Sequence, residues 1–266
     1  MTVDFDFDYI SLELGEDSDL TYRKQGNYLE GFSTDFKIVM NILQQPNIEE
    51  FKIVLFGARI DDMETFKNIS EELLQVEFLT VYDYNEKGML EILPIFDPHT
   101  LIGLTLDGVA MDDDDEGMDD DDGSGYRSGP VFLNLSEIME LDQWKMSEYI
   151  DIDGFYVYPD VENFTHFTEA KVSMEKVDET DISKMKDAML QKFNYLTLEI
   201  KSKLIFGGFA EKFGEPLVIN GEKNWYFRSP EKQILKLNIS EDTVMFHYHD
   251  LSSVPGNAVI IEYTKK

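Results

Sequence analysis

The 266-residue chain carries 54 acidic and only 23 basic side chains, a formal net charge of -31. Hydrophobic residues make up 42% and aromatic residues 13% of the sequence, which excludes a wholly disordered chain. The absence of cysteine excludes disulfides, thiol catalysis and cysteine-ligated metal centres. No apolar run approaches the roughly 20 residues that span a bilayer, and the N-terminus lacks a secretory pattern, so we expect a cytoplasmic protein.

The N-terminal part predicts short strands and two helices. Residues 3–9 alternate apolar and acidic side chains, as in a strand with one apolar face. The acidic face carries Asp4, Asp6 and Asp8. Apolar residues at every third or fourth position predict helices over 34–45 and 62–73, on either side of a buried strand at 51–56. Strand-like runs follow at 76–82, 89–96 and 100–106, the first two joined by a hairpin loop at 85–88.

Residues 107–130 form the one segment of low complexity. Nine carboxylates occupy eleven positions: Asp112, Asp113, Asp114, Asp115, Glu116, Asp119, Asp120, Asp121 and Asp122. Because like charges repel, we expect an unpacked loop. The run matches the first six positions of a calcium-binding EF-hand loop, but the twelfth position, which requires a bidentate carboxylate, is Gly123. We therefore predict no metal site and no cofactor.

The remaining chain predicts a strand at 131–135, a helix after Ser136 and a strand at 154–158. A helix begins at Asp181, and residues 193–205 fit either a helix or a strand, with helix favoured. Turn residues then separate five predicted strands, at 217–219, 225–228, 234–239, 244–249 and 259–263.

This order of elements predicts an α+β fold with mostly antiparallel sheets, a few short helices and two subdomains. Residues 1–165 form the first, a strongly acidic α+β domain with the Asp-rich loop at 107–130. Residues 166–266 form the second, a helix followed by an antiparallel β-meander. The net charges are -30 and -1, respectively. No period of 20–50 residues recurs, so a solenoid or propeller is not expected.

Motifs with a known catalytic or phosphate-binding geometry are missing from the sequence, which contains no GxxxxGK[ST], GxGxxG, GxSxG or HExxH. His247 and His249 share one face of a predicted strand and could bind a metal with Asp250 or His166, although exposed strand histidines are commoner. The sequence therefore predicts no catalytic residue. An enzyme with a site around these histidines and Trp225 stays an alternative.

The confinement of the negative charge to one part of the chain predicts a partner of opposite sign. We expect a non-enzymatic protein that binds and neutralises a basic protein, foremost an immunity protein or antitoxin acting on a nuclease-type toxin, whose groove must be basic to hold phosphate. The alternative is a DNA mimic of phage origin that blocks a restriction or defence protein. Direct binding to nucleic acid or to a membrane is not expected.

The candidate contact residues are the carboxylates of the first strand and of the Asp-rich loop, together with Tyr126. They are Asp4, Asp6, Asp8, Asp112, Asp113, Asp114, Asp115, Glu116, Asp119, Asp120, Asp121, Asp122 and Tyr126. Aromatic residues could anchor the interface, although most are expected in the core. These are Trp144, Tyr149, Phe155, Tyr156 and Tyr158.

Overall fold

The computed structural model describes residues 2–5, 9–15, 18–23, 34, 48–55, 73–83, 86–108, 131–158, 161–191 and 197–263. One mixed sheet contains every strand of these ranges. The strands are β1 (Thr2–Phe5), β2 (Tyr9–Gly15), β3 (Ser18–Arg23), β4 (Ile48–Val54), β5 (Val76–Tyr82), β6 (Gly103–Asp107), β7 (Val131–Phe132), β8 (Tyr149–Tyr156), β9 (Glu169–Asp178), β10 (Thr197–Phe206), β11 (Leu217–Ile219), β12 (Glu222–Arg228), β13 (Ile234–Ile239), β14 (Thr243–His249) and β15 (Ile260–Glu262).

The described helices are short and lie between the strands. The α-helices are α1 (Glu86–Ile92), α2 (Asp142–Met146), α3 (Glu179–Gln191) and α4 (Phe209–Phe213). Single 3₁₀ turns span Leu93–Ile95, Ile138–Glu140, Val161–Phe164 and Leu251–Ser253. Within the described ranges, no helix is long and apolar enough to cross a membrane.

The centre of the sheet is parallel. Six parallel strands lie side by side in the order in which they occur in the chain: β4, β5, β6, β8, β9 and β10. Antiparallel pairing is confined to the two ends, among β1–β3 and among β10–β14. The predicted α+β fold of mostly antiparallel sheets in two subdomains is therefore wrong, since the ladder continues through β8, β9 and β10 across residue 165.

One face of this sheet carries the core. Alternate strand residues and the buried residues of all four α-helices join a single hydrophobic cluster. On the sheet these include Ile53, Val81, Leu106, Ile152, Val172 and Ile200. The helices contribute Met89, Trp144, Ile182, Met185, Phe209 and Phe213. The described helices thus cover the same side of the sheet.

The opposite side of the parallel strands, here called the open face, carries a row of polar side chains beside the exposed rings of Phe78 and Tyr149. One register row crosses it from strand to strand, through Lys52, Thr80, Thr105, Asp151, Lys171 and Glu199. Each of these side chains is only half-buried, whereas the residues on either side of each in its strand are more deeply buried or face the core. Parallel sheets usually have both faces covered. A parallel sheet with one polar face is therefore a distinctive feature of this chain.

Two local predictions are wrong for reasons of context. Residues 89–96, predicted as a strand, form α1 and the 3₁₀ turn after it, because Met89, Ile92 and Leu93 all reach the core from a helix. The segment 193–205, for which we favoured helix, contains β10 from Thr197 onward, and its strand lies parallel to β9. The predicted helices at 34–45 and 62–73 lie outside the described residues, apart from helical Thr34.

Candidate functional site

Three aspartates lie together at the carboxyl end of β6 and β8. Asp107 pairs with Asp153 in the parallel register, and Asp151 stands two residues before Asp153 on the same face of β8. Neighbouring strands lie about 4.8 Å apart, so these side chains are near neighbours. Their chain positions place them on the open face. We call Asp107, Asp151 and Asp153 the acidic triad.

The carboxylates of the acidic triad disfavour one another's charge. Burial raises the pKa of the Asp107 carboxyl, and the negative charges of Asp153 and Asp151 raise it further. Burial also raises the pKa of Asp151, although Lys171 on β9 acts in the opposite direction. A cation that approached this part of the open face would lower both pKa values by stabilising the charged forms.

A bulge in β8 determines which side chains follow the triad on the open face. The register with β9 shifts between Ile152 and Tyr156, and Gly154 there has φ +69°. Ile152 is buried before the bulge, and Phe155 is buried after it. β8 advances four residues over this stretch while β9 advances one, and these three extra residues reverse the alternation, so that Tyr156 points to the same side as Asp153.

Only glycine fits at this bulge. A Cβ atom at position 154 would lie 1.4 Å from the carbonyl oxygen of Gly108, which is backbone and cannot swing aside. The Gly108 amide itself donates a hydrogen bond of 2.8 Å to the carbonyl of Asp153. The two glycines thus hold the end of β6 against the bulge, at the point where the chain enters residues 109–130.

Three aromatic rings lie together beside the bulge, two of them exposed and one, Tyr156, half-buried. β7 pairs with β8 so that Phe132 lies opposite Tyr156. The Phe132 ring is stacked on Tyr158 with centroids 5.5 Å apart, and its centroid lies 5.9 Å from that of Tyr156. Tyr158 is 70% exposed and Phe132 is 42% exposed. We call Phe132, Tyr156 and Tyr158 the aromatic platform.

Two lysines of β10 show that the platform borders the triad. The Lys201 ammonium lies 4.0 Å from an Asp153 carboxylate oxygen. Two residues further along β10, the Lys203 ammonium lies 6.0 Å from the centroid of the Tyr156 ring. Because residues two apart on a strand share a face, the acidic triad and the aromatic platform form one continuous area of the open face.

Most of the residues predicted from the sequence as contacts lie outside the described part of the chain. These are Asp6, Asp8, Asp112, Asp113, Asp114, Asp115, Glu116, Asp119, Asp120, Asp121, Asp122 and Tyr126. Asp4 lies in β1, between Ser11 of β2 and Val54 of β4. The described residues on either side of the Asp-rich segment are Gly108, which follows β6, and Val131, which begins β7.

The aromatic residues considered as anchors divide into two groups. Trp144 and Phe155 are buried in the core. Tyr149, Tyr156 and Tyr158 are exposed or half-exposed. Sequence reasoning missed the acidic triad, although an Asp-x-Asp pattern at 151–153 marks a strand with an acidic face. It also missed Phe132, whose exposure depends on its pairing with β8.

His247 and His249 lie on one face of β14, as their spacing predicted. Their Nε2 atoms are in contact, and the Nδ1 atom of His247 is buried without a hydrogen-bond partner. Burial, His249 and Lys236 of the neighbouring strand lower the pKa of His247 to about 4. His166 instead contacts the carbonyl of Trp144 on the core side. In the described ranges, no three His, Asp or Glu side chains, the acidic triad included, are placed so that they could hold a metal ion.

We expect the histidine pair to make the stability of the protein pH-dependent. The unfolded chain binds a proton at His247 near pH 6.5, whereas the folded protein resists it down to about pH 4. Stabilisation by the neutral imidazole is therefore full above pH 6.5 and is lost as the pH falls toward 4. Because the ring is partly exposed, the loss should be only about 1–2 kcal/mol.

This expectation is measured by urea unfolding of wild type and His247→Gln at pH 7.5, 6 and 4.5. The stability difference between the two proteins should shift in favour of the variant at low pH. A His99→Gln variant, which changes an exposed imidazole, serves as the control. A constant difference between wild type and His247→Gln across the series would contradict the expectation.

Comparison with known proteins identifies one family. The family model of the FTH domain matches residues 60–213, more than half of the chain. The matched range runs through β5 to α4 and includes both the acidic triad and the aromatic platform. No curated protein and no solved structure matches the chain.

Proposed function

The chain belongs to the FTH domain family, and from this premise we propose that it is a protein-recognition module that binds a basic protein partner on the open face of its sheet. The family is F-box-associated, which sets the proposal among protein–protein recognition modules. The observation that carries it is the acidic triad beside the exposed aromatic platform. Aromatic anchors surrounded by charge are the residues from which strong protein interfaces are built.

The charge of the partner follows from that of the site. The acidic triad includes two carboxyls whose pKa is raised in the free protein, so lysine or arginine from a partner would relieve an unfavourable arrangement. The pair between Lys201 and Asp153 is a weak competitor, because both side chains are more than half exposed and such pairs contribute about 0–1 kcal/mol.

The Asp-rich segment supports the same choice of partner. Its nine carboxylates belong to the 22 residues between Gly108 and Val131, and these two residues border the triad and the platform. A negative field of this density attracts basic proteins and speeds their association. It also repels phosphate, so a protein is favoured over a nucleic acid as the ligand.

The basic partner can be of more than one kind. A nuclease-type toxin neutralised in the cytoplasm and a restriction or defence protein blocked by a DNA mimic both present the basic groove that this surface would bind. In either case the proposed role is binding and not catalysis. Affinity capture from cells of the source organism, followed by identification of the retained protein, separates these identities.

The binding site itself is tested with the captured partner by measuring association rates at 50 and 200 mM salt. We expect the wild-type rate to fall roughly tenfold over this range, because added salt screens the steering field. The triple variant Asp107→Asn, Asp151→Asn, Asp153→Asn should associate more slowly and depend less on salt. It should fold at least as stably as wild type, since it removes repulsion.

A matched control removes three carboxylates from the near-neutral part of the chain. Glu215, Glu231 and Glu241 are exposed, and their replacement by glutamine changes the net charge by the same amount as the triple variant. The control should associate nearly as fast as wild type. If both triple variants behave alike, the site on the open face is wrong. If the association rate of wild type is the same at both salt concentrations, the proposal of a basic partner is wrong as well.

A further inference from the structure

We propose that the aromatic platform binds an arginine side chain of the basic partner: its guanidinium group stacks on the free face of Tyr158, whose other face rests on Phe132, and Asp153 pairs with its charge. This inference rests on the proposed function and deepens it, because it selects arginine over lysine. The site assembles from β7 and β8 and depends on the bulge that brings Tyr156 and Tyr158 to the side of Asp153.

The first argument is that the platform is built but uncovered. Tyr158 and Phe132 are stacked with an interplanar angle of 25°, so each ring supports the other on one face. At 70% exposure, Tyr158 leaves its ring available to a partner in the described structure. Ordering a flexible aromatic side chain opposes binding, and a preformed stack reduces that cost.

The second argument is that a cation already lies over the platform. The Lys203 ammonium is 6.0 Å from the centre of the Tyr156 ring, within the range of cation–π attraction. The Tyr158 and Phe132 rings have no such contact with a described lysine or arginine. Among the described residues, one lysine thus occupies the cation position over Tyr156, and none occupies the neighbouring rings.

The third argument separates arginine from lysine. A guanidinium group is planar, stacks on aromatic rings and is less strongly hydrated than an ammonium group. It can also donate two parallel hydrogen bonds to one carboxylate. Asp153 is 57% exposed, so its carboxylate is accessible beside the rings. A lysine side chain would be attracted by the negative field to the same extent, but its contact with the stacked rings would contribute less binding free energy.

The probes are two fluorescein-labelled peptides, one with six arginines separated by glycines and one with six lysines in the same positions. The affinity of the full-length protein for each peptide is measured by fluorescence anisotropy. Both carry the same charge, so the acidic surface contributes similarly to each. We expect wild type to bind the arginine peptide about three- to tenfold more tightly than the lysine peptide.

Two variants of one exposed residue identify the source of this preference. Tyr158→Leu keeps apolar area but removes the aromatic face, and it should bring the arginine-to-lysine ratio close to one. Tyr158→Phe keeps the ring and should preserve the ratio. Because Tyr158 is exposed, both variants should unfold at the wild-type temperature, which circular dichroism checks.

The outcomes separate the inference from the proposed function. If both peptides bind equally to wild type, or if the ratio survives in Tyr158→Leu, the arginine site is wrong while binding to basic ligands stands. If neither peptide binds, the proposal of a basic partner is wrong, and the proposal of an arginine site is wrong as well. A preference lost in Tyr158→Leu and kept in Tyr158→Phe supports the arginine site.

Discussion

Replacing Gly154 by alanine should destabilise the protein by about 2–5 kcal/mol. The positive φ at this position costs an L-residue about 1–2 kcal/mol. The added Cβ would also lie 1.4 Å from the carbonyl oxygen of Gly108, so backbone must move, at a further cost of about 1–3 kcal/mol. Urea unfolding measures the loss. Partner binding should weaken in parallel, because the bulge orients Tyr156 and Tyr158.

Gly221→Ala is the matched control for this change. Gly221 also has a positive φ, +90°, but nothing lies within 4 Å of a Cβ built there. It follows Asn220 in the turn between β11 and β12, a position at which the sequence predicts a tight turn. The control should lose only about 1 kcal/mol and keep partner binding. Equal losses in both variants would show that the contact with Gly108 does not constrain the bulge.

The second large effect is expected for Trp144→Ala, with a loss of about 3–5 kcal/mol. Trp144 is 2% exposed and packs edge-on against Phe164 and Phe167, with ring centroids 5.8 and 5.1 Å away. Its removal would leave a cavity between α2 and the sheet, which rigid neighbours fill only in part. Thermal and urea unfolding give the change in stability.

Met146→Ala tests whether this loss comes from burial and not from the helix. Met146 belongs to the same helix, α2, but its side chain is 43% exposed. Its truncation should cost less than about 1 kcal/mol. A loss as large as that of Trp144→Ala would mean that α2 itself, and not the packing of the indole, limits stability.

The fold could be predicted only in part, and the reason lies in the open face. Alternating polar and apolar residues are the usual sign of half-buried antiparallel strands, because parallel strands are normally buried on both sides. In β8 and β9 the alternation comes instead from parallel strands with one polar face. The sequence pattern therefore indicated the wrong pairing, and β9 was not predicted at all.

Elements whose signal is local were predicted well. The helix beginning at Asp181 is confirmed as part of α3, and strands occur at the five predicted C-terminal positions as β11–β15. The antiparallel meander is wrong for the last of them, because β15 pairs in parallel with β12. The segment around β10 could not be settled, because Leu198 and Ile200 suit a strand and a helical stripe equally. Only its pairing with β9 and β14 decides the strand.

The site was less accessible to prediction than the fold. The charge map indicated a basic partner, but Asp107 and Asp153 are 46 positions apart in the sequence and meet only through strand register. The bulge at Gly154 reverses the alternation that would otherwise assign Tyr156 to the core. A single glycine in a strand suggests a bulge, but it does not say which face the later residues take.

The one-sided sheet has a consequence for how the proposed recognition surface can change. Side chains such as Thr80, Thr105 and Lys171 are half-buried and project away from the core, so their replacement leaves the packed interior intact and should alter stability less than core substitutions do. Adjacent strands place these positions in regular rows, and the side chain at each position can be substituted independently of the others. Mutations at these positions can therefore change the binding preference of the surface while the core and the fold stay the same.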